Sequence, residues 1–194
     1  MLHAILWICF YGIHSFLAHN STKEFVYQFG VNFKRYYRLS YNFISVIFFA
    51  SNIYVMSLSN ESFLIQSNFI YIMISAFLMS FGIAFLLIAF SIFNTSEFLG
   101  LEQMKTNEKV YKSSKLIIGG IYKYVRHPLY TGILFLLLGI IILFPSSSIL
   151  TFAIISILYL PIGIHLEEKK LISEFGQQYI DYKKEVKMLI PFIF

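Results

Sequence analysis

Four side chains in this sequence are of types that could do chemistry together. Arg126 and His127 stand immediately before Pro128 and an apolar run that reaches Phe144, while Glu167 and Glu168 follow a second apolar run over residues 149–164. A guanidinium, an imidazole and two carboxylates can pair, hold a charged ligand or move a proton. Charged groups this close to hydrocarbon are costly unless paired, hydrated or used, which makes a functional site the first hypothesis. The alternative is an arginine snorkelling among interfacial carboxylates, and spacing alone leaves both open.

The elements that must position these groups follow from composition. With 58% hydrophobic and 13% charged residues in 194, the chain has more apolar surface than a soluble domain of its size can hide. Apolar stretches cover residues 2–17, 41–58, 69–93, 129–144 and 149–164. A bilayer core of ~30 Å needs ~20 helical residues, and the first three stretches reach or approach that length. The last two are ~24 Å each and are separated only by Pro145-Ser146-Ser147-Ser148, which predicts a tight helical hairpin. The expected fold is all-α: a polytopic membrane bundle of five transmembrane helices with a cytoplasmic amphipathic helix at the C-terminus. No basic region precedes Leu2 and no small-residue cleavage pattern follows Leu17, so the first helix reads as retained.

Charge sets the expected orientation. The fifteen Lys and Arg residues fall in three groups, at 23–38, 105–126 and 169–187. Five crossings put all three groups on one side, and the positive-inside rule makes that side cytoplasmic, with Met1, the Asn60 loop and the Pro145 turn outside. The net charge of +5 then serves orientation and attraction to anionic lipid, and gives little reason to expect nucleic acid. Cys9 is the single cysteine, which excludes an intrachain disulfide and a cysteine metal site. His3, His14, His19, His127 and His165 suggest no metal cluster. Asn20, Asn60 and Asn94 begin Asn-x-Ser/Thr triplets, of which only Asn60 would face outside.

Two cytoplasmic pieces remain. In residues 165–194, Leu171, Phe175, Tyr179, Tyr182 and Val186 recur at helical spacing, predicting one amphipathic helix that continues out of the fifth span until Pro191 stops it. Gly176 within it costs ~1 kcal/mol relative to Ala, a loss explained by close backbone approach or by simple tolerance. In residues 94–128, Gly119-Gly120 permit a sharp turn and Pro128 opens the fourth helix where its missing N–H does no harm. At the end of the third helix Asn94, Thr95, Ser96 and Glu97 could close a pocket, although an ordinary helix end explains them as well.

Gly120-Ile121-Tyr122, the run from Arg126 to Gly132, Glu167 to Leu171, Phe175-Gly176, Tyr179, Tyr182, Val186 and Ile190-Pro191 together resemble the C-terminal signature of the isoprenylcysteine carboxyl methyltransferase and phospholipid methyltransferase superfamily. The likeness covers about residues 114–192. Two further stretches, 10–18 and 93–104, look more like the methanethiol S-methyltransferase branch and its bacterial relatives.

The resemblance implies one membrane methyltransferase domain over residues 1–194, with residues 1–93 facing the acceptor and 94–194 building the cofactor site. It also implies a bacterial inner membrane and S-adenosylmethionine as cofactor. Carried over by position, Lys115, Leu116, Ile117 and Tyr122 would line the cofactor, His127, Pro128, Leu129 and Tyr130 would form its main wall, and Glu167 would hold one of its polar groups. Arg126, His127 and Glu168 would be the catalytic candidates. A sulfonium beside an amino-acid zwitterion and an adenosine calls for carboxylate, aromatic faces and donors together, and these residues supply those types.

Methyl transfer is a displacement at carbon, so alignment and water exclusion matter most. A thiolate or carboxylate needs no strong base, whereas an amine must lose a proton, with His127 or Glu168 as candidate helpers. An apolar acceptor could arrive sideways from membrane lipid while the cofactor enters from water. Prenylcysteine enzymes of the superfamily carry a basic residue one turn before the paired glutamates, and Gly163 stands there in this chain. His165 is the nearest substitute and is mostly neutral near pH 7. A small or lipophilic thiol therefore fits best, followed by a phospholipid amine or a prenylcysteine carboxylate. His14, ionisable within an apolar helix, could line the acceptor path or bond a neighbouring helix. Two rival readings are an NADPH-dependent enzyme resembling the sterol reductases, disfavoured by the absence of Arg and Cys after the hairpin, and a non-enzymatic accessory protein on the same scaffold. Oligomeric state is not legible.

Overall fold

The computed structural model describes all residues except 1, 60, 62, 67, 93–95, 97–98, 102–103, 105–114 and 191–194. Asn60, Asn94, Thr95, Glu97 and Pro191, singled out above, lie outside the described residues. Among those described, the regular elements are helical: α1 (Leu2–Ala18), α2 (Asn20–Tyr27), α3 (Val31–Ser57), α4 (Phe69–Ile92), a 3-10 turn (Gly120–Lys123), α5 (Pro128–Leu143), α6 (Ser147–Phe175) and α7 (Gln177–Glu185). They divide into two compact units, one of Met1–Asn60 with Asn94–Ser113 and one of Glu61–Phe93 with Ser114–Phe194.

Among the described residues three helices, α3, α4 and α6, are long and apolar enough to cross a membrane. The α1–α2 pair makes a fourth if its 57° bend is counted within one span, and α5 is a shorter apolar helix. The last apolar run is not confined to a short hairpin leg, because α6 extends for 29 residues, ~43 Å, and carries the glutamate pair on its polar end. Its interior Pro161 removes one backbone donor.

In the first unit, α1 and α3 are joined through polar side chains in an apolar setting. Trp7 is fully buried, donates from Nε1 to Met56 Sδ at 3.3 Å, and meets Phe10 and Phe49 edge-on. Tyr37 donates to Leu17 O at 2.7 Å. His14 Nδ1 lies 3.0 Å from Ser45 Oγ. Ser45 Oγ also lies 2.8 Å from Tyr41 O, so the serine links the imidazole to the α3 backbone.

In the second unit, small residues set the packing. Ser75, Gly82 and Ala89 are all buried and recur every seven residues along α4, facing Gly132 and Gly139, themselves seven apart on α5. A Cβ on Gly82 would lie 2.7 Å from Gly132 O, and a Cβ on Gly132 would lie 2.9 Å from Gly82 O. The two antiparallel backbones touch, and Ser75 Oγ donates to Gly139 O at 2.9 Å. Close approach of small residues with an interhelical hydrogen bond is how helices associate where lipid removes the hydrophobic drive.

Glu61 tightens the opposite end. Its carboxylate accepts from Ser148 N at 2.8 Å, Ser148 Oγ at 2.7 Å and Ser147 Oγ at 2.9 Å, so it caps the first turn of α6 from outside the helix. Ser146 Oγ adds the local cap to Ile149 N, and Leu64 N donates to Pro145 O.

The expected single C-terminal helix is corrected to two. Gly176 takes φ +56°, ψ −129°, a conformation that L side chains rarely adopt, and it ends α6 before α7 begins. The helix then stops at Glu185, well before Pro191.

Candidate functional site

Three segments of the second unit converge: the approach to α5 (residues 120–131), the polar end of α6, and the tail from α7 onward. Gly120 starts the first of these at φ +59°, a conformation that favours glycine, with the end of the Ile92 side chain close by. Gly119 carries neither constraint. Pro128 occupies the first turn of α5 and His127 precedes it as the cap residue.

The tail is tied to this turn by backbone and side chain alike. Arg126 N donates to Lys187 O at 2.8 Å and His127 N to Met188 O at 3.1 Å, with a parallel bridge between Val125 and Lys187. Thr131 Oγ1 donates to Leu189 O at 2.8 Å, and Tyr182 OH to Tyr122 O at 2.7 Å.

Glu168 is the centre of the charge arrangement. It is buried, and its Oε1 accepts from Arg126 Nε at 3.0 Å and stands 3.0 Å from Nη2 and 3.3 Å from His127 Nε2. Its Oε2 takes Lys183 Nζ at 2.5 Å. The remaining Arg126 nitrogen, Nη1, donates to Lys183 O and Val186 O. Burying a carboxylate is tolerable only with partners of this kind. Glu167 differs: its side chain is 41% exposed, and its Oε2 faces His127 Nδ1 at 3.8 Å. The imidazole, 2% exposed, is thus held between two carboxylates.

Three phenols surround the cluster. Burial pushes Tyr122 and Tyr179 well above the usual phenol value and Tyr182 up to about 12, so all three remain neutral at physiological pH. The Tyr179 hydroxyl is buried beside the Glu168 carboxylate, which helps to keep its proton in place. Tyr130 meets His127 edge-on at 5.7 Å and lies against α6 at Gly163, whose Cβ position is 3.3 Å from both Tyr130 Oη and Tyr159 Cε1.

Arg126, His127, Glu167 and Glu168 therefore come together in one cluster, with Tyr122, Pro128 and Tyr130 adjoining it in the same unit. Leu129 is half-buried in the first turn of α5. Lys115 is exposed, and Leu116 and Ile117 are half-buried in the irregular segment leading to Gly119. His165 is exposed on α6, and His14 belongs to the first unit, bonded to Ser45. Lys183 is the participant that sequence reasoning missed. It follows Tyr179 by four residues and so stands on the same side of α7, a signal hidden among the lysines around it.

Residues 77–178 match the family described as phospholipid methyltransferase, a span that includes α5, α6 and the glutamate pair. The chain belongs to the phospholipid methyltransferase family. Among relatives of this family member, a methanethiol S-methyltransferase of Crocosphaera subtropica is 35% identical over 120 residues, 60% of this chain and 46% of that protein. Methanethiol S-methyltransferase 1 of Bradyrhizobium diazoefficiens is 39% identical over 108 residues, 52% of this chain and 35% of the relative. A protein-S-isoprenylcysteine O-methyltransferase of Tribolium castaneum is 39% identical over 79 residues, 40% of this chain and 28% of the relative. The matched part of this chain thus spans less than half the length of each. No solved structure matches it.

Proposed function

We propose that this phospholipid methyltransferase family member is an S-adenosylmethionine-dependent methyltransferase of the membrane, acting on a small or lipophilic thiol. The observation that carries the reading is the division of labour between the paired glutamates. Glu168 is consumed by Arg126, His127 and Lys183, while Glu167 keeps a half-exposed carboxylate beside the same imidazole. A carboxylate held in place by a buried scaffold, next to aromatic faces, fits a zwitterionic sulfonium ligand. When bound, the cofactor supplies an electrophilic methyl group.

In this reading Glu167 and Tyr122 hold the cofactor with Lys115, Leu116 and Ile117, and Pro128, Leu129 and Tyr130 wall it. Arg126, His127 and Glu168 hold the walls in place and are positioning residues. Their burial argues against direct attack on an acceptor proton, since His127 presents both ring nitrogens to carboxylates and is 2% exposed. That favours an acceptor that needs no strong base, a thiol over an amine. Gly163 argues in the same direction, because Tyr130 occupies the space beside it and no cation is there to meet an acceptor carboxylate. The names of the methanethiol S-methyltransferase relatives support the thiol, and the methyltransferase names as a group disfavour a nicotinamide reductase or an accessory protein. Five crossings, counting α1–α2 as one and α5 as another, with the N-terminus outside and the cluster at the cytoplasmic face of a bacterial inner membrane, complete the proposal. His14 and His165 are the residues offered to the acceptor path.

The test is titration of S-adenosylmethionine and, separately, NADPH into the detergent-purified chain and its Glu167→Gln variant, followed by transfer of labelled methyl to thiol, amine and carboxylate acceptors. Binding of S-adenosylmethionine alone, weakened at least tenfold in Glu167→Gln, is expected. Binding of NADPH instead, or of neither by folded protein, overturns the proposal.

A further inference from the structure

The first unit carries a surface that methyl transfer does not call upon. Helix α2 leaves α1 at 57° and so does not prolong the α1 axis. At the elbow between α2 and α3, three phenylalanine rings form a row: Phe25 to Phe29 at 5.3 Å and Phe29 to Phe33 at 6.0 Å. All three are more than half exposed, as is Val31 between them. Tyr27 packs instead within the unit, meeting the buried Tyr37 edge-on at 5.8 Å. The elbow thus has an inner face that folds the unit and an outer face of bare aromatic rings.

The position of this row matters as much as its exposure. The apolar run of α3 starts at Tyr41, and Phe33 precedes it by eight residues, ~12 Å along the helix. Between them stand Lys34, Arg35 and Arg38, so the row lies beyond the hydrocarbon, at the level of lipid headgroups. Across residues 19–40 four cations, with Lys23 the fourth, face one carboxylate, Glu24. These cations also serve the fold: Arg35 Nε donates to Met104 O with its guanidinium 5.9 Å from the Tyr36 ring, and Lys34 and Arg38 stand near Tyr27.

We propose that the α2–α3 elbow is an anchor for an anionic lipid surface, in which Phe25, Phe29 and Phe33 enter the headgroup boundary while the basic excess of residues 23–38 draws anionic lipid to it. Aromatic rings seat at that boundary and cations beside them draw anionic lipid. The excess of cations selects an anionic leaflet over a neutral apolar partner.

The unmodified chain is reconstituted in nanodiscs of phosphatidylcholine alone and of phosphatidylcholine with phosphatidylglycerol, and amide exchange is followed over residues 20–33. Exchange slower by on the order of tenfold in the anionic discs, and restored by salt, is expected. In a Cys9→Ser, Phe29→Cys chain, a spin label at 29 should be reached by dissolved oxygen in preference to a water-soluble relaxant. Lys34→Gln with Arg38→Gln should erase the dependence on lipid composition without moving that label. Equal exchange in both discs overturns the anionic assignment. A label reached mainly by the water-soluble relaxant overturns membrane contact. A label shielded from both is covered by protein, which overturns the proposal in favour of a second copy.

Discussion

Arg126 directs two nitrogens, Nε and Nη2, at a single oxygen of Glu168, each at 3.0 Å, with both side chains less than 10% exposed. The other oxygen is left to Lys183, so the carboxylate is shared between the approach to α5 and the start of the tail.

Removing one member of so buried a pair leaves an uncompensated charge. Glu168→Ala should destabilise the protein by about 3–5 kcal/mol, and Arg126→Ala by a similar amount. Thermal unfolding in detergent measures both, and the double variant should cost less than the two losses added. Additive losses would mean that the pair does not act as a unit.

Glu167, one residue away, should behave in the opposite manner. Its exposed carboxylate makes a single 3.8 Å approach to His127, so Glu167→Gln should change stability by no more than about 0.5 kcal/mol. Cofactor affinity is the quantity it should lower. Equal loss of stability in both glutamate variants would remove the division of roles on which the functional proposal stands.

The Glu61 clamp on α6 predicts an acid sensitivity distinct from the cluster. Donation from the Ser148 hydroxyl and backbone, then from the neighbouring serines, holds the Glu61 carboxyl down at about 2. A depressed carboxyl contributes stability above its ordinary range of ~4.3, and that contribution falls away as pH drops from there toward 2. Melting curves between those limits should flatten in Glu61→Gln, with wild type and variant converging at the acid end.

Gly82 and Gly132 test the packing of α4 on α5. Because the obstacle to a new methyl group is a carbonyl oxygen under 3 Å away, Gly82→Ala must push the helices apart, at about 1–3 kcal/mol. Gly119→Ala, with open space at its Cβ, is the matched control and should be close to neutral. Comparable losses in the two variants would show that close approach is not what Gly82 provides.

How much of this was legible beforehand depends on what kind of bond holds each part. Arg126, His127 and the two glutamates could be brought together from sequence because charges beside apolar runs must find partners. Their ranking could not: nothing in the pair Glu167-Glu168 says which carboxylate is buried, since that follows from the rotation of α6. The break at Gly176 was hidden because the stripe of Leu171, Phe175, Tyr179 and Tyr182 passes through it in apparent register. Residues 187–189 act through carbonyl oxygens, and backbone bonds leave no trace in side-chain pattern. The recurrence of Ser75, Gly82 and Ala89 was visible, and read as a packing seam it would have given α4 its neighbour.

The tie between the tail and the α5 approach also bears on when the protein becomes competent during its synthesis. Carbonyls of residues 183–189 complete the hydrogen bonds of Arg126, His127 and Thr131. A ribosome that has translated α5 and α6 has therefore made the paired glutamates but not the segment that fastens them. Until residue 189 clears the exit tunnel, Arg126 lacks its carbonyl acceptors and Glu168 lacks Lys183, so the nascent chain holds a half-neutralised charge at the membrane surface. The site is closed by a stretch that emerges only after both helices, and a chain truncated just before it should insert its helices yet never assemble the cluster.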